Sequence, residues 1–234
     1  MTRHEAKDVA MRIVIPVYPD IDLLDVCGSA EMFRWAGFTV DVVAADAGLV
    51  MFNNGFEFNV TNGLDTVTAC DALWVPGGEP AALHTIMFGP DRRFQQFITA
   101  QAAEARYVCS VCEGALLAAH AGLLDGHNVT THWAFIPYLL QNYPAIGVAP
   151  GHPRFVLDRD RLTGGGISSG LDEALYLISL LGGEALAADV QQTTQYYPDP
   201  PVSSKIPNII QSPMPPVPAW QAGSDVRQNS RVIG

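Results

Sequence analysis

The sequence predicts an α/β protein, a doubly wound sandwich with a mainly parallel central sheet. Three observations support this fold class. Short runs of apolar and β-branched residues, which suit strands buried on both faces, recur along the chain. Segments with helical spacing of apolar residues lie between these runs. Strands that alternate with helices form a parallel sheet with helices packed on it, and loops containing glycine or proline follow several of the strands.

The N-terminal half of the sequence begins this alternation. Met11–Val17 (MRIVIPV) is a continuous apolar run, which is typical of a strand buried on both faces. Leu23–Ala36 follows with a helical pattern that ends at Gly37. Three further strands are predicted, at Thr39–Ala45, Phe56–Thr61 and Ala72–Val75. Residue types alternate in Phe56–Thr61, which suits a hairpin or an added edge of the sheet.

The C-terminal half continues the alternation. A helix over Asp91–Ala105 has Pro90 and Asp91 as its start signals, and the strand Tyr107–Ser110 follows it. The next predicted helices are Ala115–Ala121, Trp133–Asn142, Leu171–Leu181 and Ala185–Gln192. The remaining predicted strands are Val129–Thr131 and a hairpin of Arg154–Asp158 with Arg161–Thr163.

The 234 residues suit one large domain followed by an extended arm. Residues 1–197 carry the alternating strands and helices. From Pro198 onward the composition shifts toward proline, as in Pro213-Met214-Pro215-Pro216-Val217-Pro218. Residues 198–234 are therefore predicted to form an extended arm that lies across the domain or across a partner subunit.

Composition and charge exclude several classes of partner. Hydrophobic residues make up 48% of the chain, which is enough for a buried core. The net charge of −11 and the absence of a lysine or arginine cluster argue against nucleic acid or an anionic membrane as a partner. A polar N-terminus and the lack of an 18-residue apolar stretch predict a cytoplasmic protein. Its four cysteines should then be free thiols.

The most informative segment is Tyr107–Leu117. An apolar run leads into Cys112, and Gly114 then allows a tight turn into a helical pattern. This is the layout of a nucleophile elbow, a strand-to-helix turn that presents one side chain above the sheet. The first amides of the helix are expected to favour a Cys112 thiolate, which is a nucleophile. The alternative is that Cys112 is a small core residue.

Asp25 is the candidate proton donor. It lies within the apolar start of the first predicted helix (LLDVCG). If it faces the Cys112 sulfur, burial and the thiolate raise its pKa, and it can act as a general acid at neutral pH. The alternative is a carboxylate that only caps or charges the helix N-terminus. Asp20 and Asp22 are expected to be solvated loop residues.

Five further positions are candidates for the surroundings of the predicted nucleophile. Gly77 and Gly78 offer backbone amides that can hold developing negative charge, unless they form a plain tight turn. His132, beside Trp133, is either a base that activates water or a residue that begins a helix. Glu113 either stabilises the first helical turn or lines the pocket, where it would reject anions or move a proton.

The run Cys109-Ser110-Val111-Cys112 also has the spacing of a redox or zinc motif. Cys109 should lie within the strand and Cys112 in the turn after it, so the two sulfurs are expected to point apart. No second pair of candidate zinc ligands has suitable spacing. We therefore predict no metal site.

Five motifs occur in one order along the chain. They are Ile15-Pro16-Val17-Tyr18-Pro19 through Asp25, Val75-Pro76-Gly77-Gly78, Ser110-Val111-Cys112-Glu113-Gly114, Thr130-Thr131-His132-Trp133 and Leu162-Thr163-Gly164-Gly165-Gly166-Ile167. Together they resemble the ThiJ/PfpI superfamily, relatives of class I glutamine amidotransferases. The likeness covers roughly residues 11–201 and is nearest to the isocyanide (isonitrile) hydratases.

The resemblance implies a flavodoxin-like sandwich, a homodimer and no cofactor. It also implies that the substrate is a small uncharged isocyanide, which is hydrated to a formamide. By motif, Cys112 matches the nucleophile of these enzymes and Asp25 the acidic residue that works with it. Gly77, Gly78 and the backbone of 111–113 match the region around the nucleophile.

Other matched positions lie in the loops near the cysteine. Gly166 and Ile167, with Gly165 before them, match a loop close to the nucleophile. Trp133 and Ile167 are expected to contribute to an apolar pocket. His132 matches a histidine shared by this branch, and the resemblance gives it no firm role.

One departure from the hydratases concerns the residue after the nucleophile, where they carry threonine and this chain has Glu113. Cys27 and Cys109 also stand where threonine is expected, but both changes keep a small side chain. Two alternatives to an isocyanide hydratase therefore stay open. One is another cysteine-dependent enzyme of the superfamily, glyoxalase-like or a hydrolase. The other is a ligand-sensing or redox-sensing protein that is not an enzyme.

Overall fold

A computed structural model describes residues 11–221 and has the predicted fold class. The strands are β1 (Arg12–Val17), β2 (Thr39–Ala44), β3 (Gly48–Met51), β4 (Glu57–Val60), β5 (Asn62–Gly63), β6 (Ala72–Val75), β7 (Tyr107–Ser110), β8 (Asn128–Val129), β9 (Gly147–Val148), β10 (Phe155–Asp158) and β11 (Arg161–Gly164). The helices are α1 (Leu23–Trp35), α2 (Pro80–Phe88), α3 (Arg93–Glu104), α4 (Gly114–His120), α5 (Ile136–Asn142), α6 (Ser169–Gly182) and α7 (Glu184–Thr194).

The central sheet has seven strands in the order β10-β11-β7-β6-β1-β2-β5. All neighbours are parallel except the edge strand β10, which is antiparallel to β11. The chain leads from β1 to β2 on one side and then returns to β6 on the other side of β1. The gap between the carboxyl ends of β1 and β6 is therefore a topological switch point, where sheets of this type bind ligands.

Helices pack in two groups around the sheet. In one group α1 contacts α6 and α7, and in the other α2 contacts α3 and α4. The Phe33 ring of α1 meets the Trp74 ring of β6 edge-on, with 5.2 Å between the ring centroids. Trp74 Nε1 also donates a hydrogen bond of 3.0 Å to the Asp25 carbonyl, so α1 is fixed against the strand that ends at the switch point.

Most predicted elements are confirmed, and the differences have local causes. The predicted strand at Phe56–Thr61 contains β4, which pairs with β3 in a hairpin. This hairpin is a separate two-stranded sheet. The helix α2 was missing from the prediction, although Pro80 occupies its first turn. The helix α3 begins at Arg93, two residues after the predicted start, because the Asp91 carboxylate accepts a hydrogen bond from the Arg93 amide.

Residues 198–221, the described part of the predicted arm, contain no helix or strand. Met214 is buried, and His84 Nε2 of α2 lies 3.2 Å from the Pro216 carbonyl oxygen. This stretch therefore lies against its own domain. Residues 222–234 of the arm lie outside the described residues, and the boundary at 197 stays a prediction. Within residues 11–221, no helix has both the length and the apolar character needed to span a membrane.

Candidate active site at the carboxyl edge of the sheet

Cys112 lies in the turn between β7 and α4, at the carboxyl edge of the sheet. Its φ is +56°, a left-handed conformation that costs a non-glycine residue about 1–3 kcal/mol. Three hydrogen bonds hold this turn. The Cys112 amide donates to the Gly165 carbonyl (2.8 Å), its carbonyl accepts from the Thr131 hydroxyl (2.7 Å), and the Val111 amide donates to the Val75 carbonyl (3.1 Å). The turn is thus built into the sheet and its neighbouring loops.

Gly114, the first residue of α4, is needed because the helix starts against β6. A side-chain carbon at this position would overlap the Val75 carbonyl oxygen. The backbone there is that of an ordinary helix, so the requirement is for close approach rather than for an unusual φ.

The Cys112 thiol is fully buried, and its pKa is raised well above the ordinary value of a thiol. Burial is the main cause, followed by the charges of Asp25 and Glu113. The Ile167 amide, which donates to the sulfur, lowers the pKa, but by less than the other effects raise it. The prediction that the helix amides favour a thiolate is therefore wrong for this conformation, in which the protonated thiol is stabilised.

Asp25 is the acidic group that the sequence placed beside the sulfur. It is fully buried in the first turn of α1, and its Oδ2 accepts a 2.9 Å hydrogen bond from the Gly77 amide. Its Oδ1 has no hydrogen-bond partner among residues 11–221. Burial raises the pKa of this carboxyl well above the ordinary value, and the charges of Asp22 and Glu113 raise it further. Asp25 therefore tends to hold a proton at neutral pH.

Glu113 brings a second buried carboxyl to the same place. Its Oε2 fills the space next to Gly77, only 2.5 Å from where a side-chain carbon on that glycine would stand. Burial raises the pKa of Glu113 to about 7, while a hydrogen bond with Cys112 opposes the rise. This group therefore changes its protonation near neutral pH.

Asp22 was predicted to be a solvated loop residue, and that prediction is wrong. It is half-buried, accepts a hydrogen bond from Asn53 Nδ2, and has a raised pKa because of burial. One donor atom each from Asp22, Asp25, Cys112 and Glu113 lie within 4.8 Å of one another. A metal ion would need these groups deprotonated, whereas their raised pKa values favour protons.

The Gly77 amide is not free, contrary to what the sequence suggested, and the role predicted for the Gly78 amide stays a prediction. The Gly77 amide already donates to Asp25, and its carbonyl accepts from the Asp22 amide (3.1 Å). Gly78 is pressed against Asp20 and Ile21, where a side-chain carbon would lie 2.8 Å from the Asp20 carbonyl. The two glycines thus bring the β6 loop close to the acidic residues, and Gly77 orients the Asp25 carboxyl.

The remaining predicted positions border the site. His132 accepts the Ala134 amide at the start of a short 3₁₀ turn, and burial lowers its pKa. Its ring occupies the space beside Gly166, and the Trp133 ring tilts against it with 5.1 Å between centroids. Ile167 exposes 42% of its surface, while its amide is directed at the Cys112 sulfur.

Three residues near the site were not singled out as candidates from the sequence. Tyr18 is buried and its hydroxyl donates a hydrogen bond to the Pro76 carbonyl (3.0 Å). Burial, and then the charges of the acidic cluster, raise the pKa of this hydroxyl. Thr131 holds the elbow, as described above. Glu173 of α6 is fully buried beside Gly164, and burial raises its pKa well above the ordinary value. Glu173 directly follows Asp172 near the start of α6, so nothing in the sequence set this carboxyl apart.

All four cysteines are free thiols, as predicted. The charged groups that act on Cys109 are Glu173, Cys70 and Arg161, whereas those that act on Cys112 are Asp25 and Glu113. The two cysteines of the C-x-x-C run therefore face different surroundings. This arrangement gives no support to a redox pair or a shared metal.

Comparisons with known proteins point to one family. The family model described as "DJ-1/PfpI family" matches residues 11–180. An isonitrile hydratase from Pseudomonas putida is 36% identical over 205 residues, which are 87% of this chain and 86% of the relative. The transcriptional regulator GbdR from Pseudomonas aeruginosa is 28% identical over 166 residues, which are 71% of this chain but only 42% of the regulator. A crystal structure of a ThiJ/PfpI family protein from Pseudomonas syringae superposes with a TM-score of 0.75 at 31% identity, covering 82% of this chain and 78% of that one.

Proposed function

Because this chain belongs to the DJ-1/PfpI family, we propose that it is an isocyanide hydratase, an enzyme that adds water to R–N≡C to give an N-substituted formamide. The observation that carries the proposal is the placement of Asp25, a buried carboxyl that tends to hold a proton, within 4.8 Å of the Cys112 sulfur. The similarity to an isonitrile hydratase along most of both chains supports the same reaction.

The first step forms a covalent bond to the enzyme. The Cys112 sulfur attacks the terminal carbon of the isocyanide while its thiol proton passes to a basic group in the site, and Asp25 gives its own proton to that carbon. The product is a thioimidate, R–N=CH–S–Cys112. Asp25 suits this role because its Gly77 hydrogen bond fixes one oxygen and leaves the other oxygen free.

The second step releases the formamide. Asp25, now a carboxylate, takes a proton from water, whose oxygen attacks the thioimidate carbon while the basic group gives the stored thiol proton to the nitrogen. The C–S bond then breaks, the hydroxyl proton passes to the sulfur, and R–NH–CHO leaves as the Cys112 thiol and the protonated Asp25 are restored. Dividing the addition of water into two steps is the usual advantage of a covalent intermediate.

An uncharged substrate agrees with the charges around the sulfur. The charged groups that act on Cys112 are acidic, and the same holds for those that act on Glu113. An anionic substrate would be repelled from such a site. The exposed Ile167 and the half-buried Trp133 provide apolar surface nearby, and we propose that they contact the organic group of the isocyanide.

The test is turnover of simple alkyl and aryl isocyanides, measured as formamide formed. We expect the natural sequence to produce formamide and Cys112→Ser and Cys112→Ala to produce none while keeping the same circular dichroism spectrum. Cys70→Ser is the matched control, because Cys70 is also buried but lies at the opposite end of the sheet, just before β6. Full activity in either Cys112 variant would refute the mechanism.

Intact mass measurement adds a direct readout of the intermediate. A rapidly quenched reaction should show the protein plus one isocyanide, and the added mass should map to Cys112. A panel of glyoxals and peptide or amide substrates separates this proposal from the other cysteine-dependent reactions of the superfamily. Turnover of a panel member with none on isocyanides would replace the proposed substrate class.

A further inference from the structure

Three carboxyls lie within 4.8 Å of the Cys112 sulfur, those of the half-buried Asp22 and of the buried Asp25 and Glu113, and the two buried ones come from different elements. Asp25 approaches from α1, whereas Glu113 follows Cys112 directly in the elbow. Gly77 lies between the two acids. Its amide bonds Asp25 Oδ2, and its missing side chain leaves the space that Glu113 Oε2 fills.

The two acids differ in what they contact. Asp25 is oriented by a backbone amide, and its free oxygen is the group that can donate a proton. A Glu113 carboxyl oxygen lies within 4.8 Å of the Cys112 sulfur, and Glu113 and Cys112 each affect the pKa of the other. The reaction also leaves a problem that Asp25 alone does not solve: a buried thiol must lose a proton as it attacks, and a protonated Asp25 has no capacity to accept it.

We propose that Glu113 is a catalytic base that takes the proton of the Cys112 thiol while Asp25 donates its own proton to the substrate carbon. This inference rests on the proposed function and divides its first step between two residues. The S–H bond breaks, the sulfur electron pair forms the C–S bond, and the carbon lone pair takes the Asp25 proton. Glu113 ends the step as a carboxylic acid and Asp25 as a carboxylate.

The second step returns both acids to their starting states. Asp25 regains a proton from the attacking water, and Glu113 gives its proton to the nitrogen. When the C–S bond breaks, the hydroxyl proton passes through Glu113 to the sulfur. The sum is R–N≡C plus water giving R–NH–CHO, with no change in the protein.

The groups around Glu113 set the pH range in which it can work. Asp22 at the start of α1 and Glu79 at the start of α2 face it and raise its pKa, and Asp25 and Cys112 complete the cluster. Because its pKa is raised to about 7, Glu113 changes its protonation near neutral pH. A base with its pKa near the working pH is the most effective one.

A purely repulsive role for Glu113 predicts the opposite outcome of its removal. If the carboxylate only disfavours a negative sulfur, then Glu113→Gln lowers the Cys112 pKa and makes the thiol react faster. If Glu113 is the base, the same substitution makes the thiol react more slowly at pH 8. The direction of the change therefore decides between the two roles.

The experiment measures alkylation of Cys112 by iodoacetamide from pH 5 to 10, with the modified peptide quantified by mass spectrometry. It uses the full chain with Cys27→Ser, because Cys27 is the exposed thiol. We expect a first rise of the rate through about pH 7 and a second rise where the thiol itself ionises. Glu113→Gln should remove the first rise and slow alkylation at pH 8 by about 100-fold.

Glu79→Gln is the matched control, since it removes a neighbouring negative charge without touching the sulfur. It should keep the first rise and move its midpoint to lower pH, because Glu79 raises the pKa of Glu113. Circular dichroism of each variant checks that the fold is kept, and Glu113→Asp, which keeps a carboxylate, should retain a pH-dependent first rise.

Two results would overturn the assignment: a Glu113→Gln thiol that reacts as fast as the parent or faster at pH 8, or a parent Cys112 that does not react at any pH. The alkylation does not involve an isocyanide. A first rise that depends on Glu113, together with no formamide from any isocyanide, would thus uphold the base and reject the substrate class.

Discussion

Burial of the Asp25 side chain raises the pKa of its carboxyl and so favours the protonated form. Replacing it with asparagine keeps the size and the contact with the Gly77 amide but removes the transferable proton. We therefore expect Asp25→Asn to lower kcat on isocyanides by about 100-fold or more. Asp20→Asn is the control, since Asp20 is exposed with a φ of +64° that asparagine also adopts. An unchanged rate in Asp25→Asn would remove this residue from the reaction.

Glu113 also links the stability of the protein to pH. Its pKa is raised from 4.5 to about 7 in the folded state, so the folded protein binds this proton more tightly than the unfolded chain. The stabilisation is complete below pH 4.5 and is lost as pH rises through about 7, a loss of up to about 3 kcal/mol. Glu113→Gln lacks this loss.

The corresponding measurement is urea unfolding of both proteins at pH 5 and pH 8. The natural sequence should lose more stability between the two pH values than Glu113→Gln does, and the glutamine variant should be the more stable protein at pH 8. An equal pH dependence in the two proteins would mean that Glu113 is solvated in solution.

The sequence was sufficient to bring Cys112 and Asp25 to one place but not to identify the whole cluster. Cys112 and Asp25 stand out because a cysteine at a strand-to-helix turn and a carboxylate in an apolar helix start are each unusual. Asp22 resembles any loop aspartate, and only the Asn53 contact and the course of the β6 loop bring it to the sulfur. The raised pKa of Cys112 was also beyond reach, because it depends on how deeply the sulfur is buried.

At the scale of elements, the elbow depends on how closely α4 approaches β6. Gly114→Ala would place a carbon against the Val75 carbonyl oxygen, a backbone atom that cannot move without breaking the sheet. We expect a loss of at least about 2 kcal/mol in the free energy of unfolding and a loss of turnover with it.

Gly28→Ala, in α1, is the matched control. Its added carbon would meet only flexible side-chain ends, those of Leu24 at 3.0 Å and Leu171 at 3.2 Å, and alanine favours the helix by up to about 1 kcal/mol. It should be neutral or slightly stabilising in the same thermal or urea unfolding experiment. Equal stability of the two variants would mean that the α4 start can shift away from β6.

The sequence indicated long periodic elements better than short ones. The strands β1, β6 and β7 are almost wholly apolar, so their existence and bounds follow from burial alone. The helix α2 has only nine residues and begins two residues after the Gly77-Gly78 pair. It was missed because the two glycines predict a loop at this place. Strands of two residues, such as β8 and β9, are held by tertiary contacts and carry no pattern of their own.

At the scale of the whole molecule, the β3–β4 hairpin carries one group of exposed apolar side chains. Leu49, Met51, Phe56 and Phe58 are each at least 41% exposed. Surface patches of this kind mark protein interaction sites. The predicted homodimer stays a prediction, and we expect this hairpin to take part in it.

Light scattering after size-exclusion chromatography tests that prediction. The natural sequence should have the mass of two chains, and Leu49→Glu with Phe56→Glu should shift it toward one. Leu140→Glu on α5 is the control, because Leu140 is an equally exposed apolar residue on another element. A single-chain mass for the natural sequence, or an unchanged dimer in the double variant, would exclude this interface.

The burial of Cys112 has a consequence for the oxidation of the protein during storage. Oxidants attack exposed thiolates first, whereas this sulfur is buried and its pKa is raised by that burial. Cys27, on the surface, should be consumed well before it. Preparations stored in air without a reducing agent should therefore keep the Cys112 thiol intact long after a surface thiol titration has begun to decline.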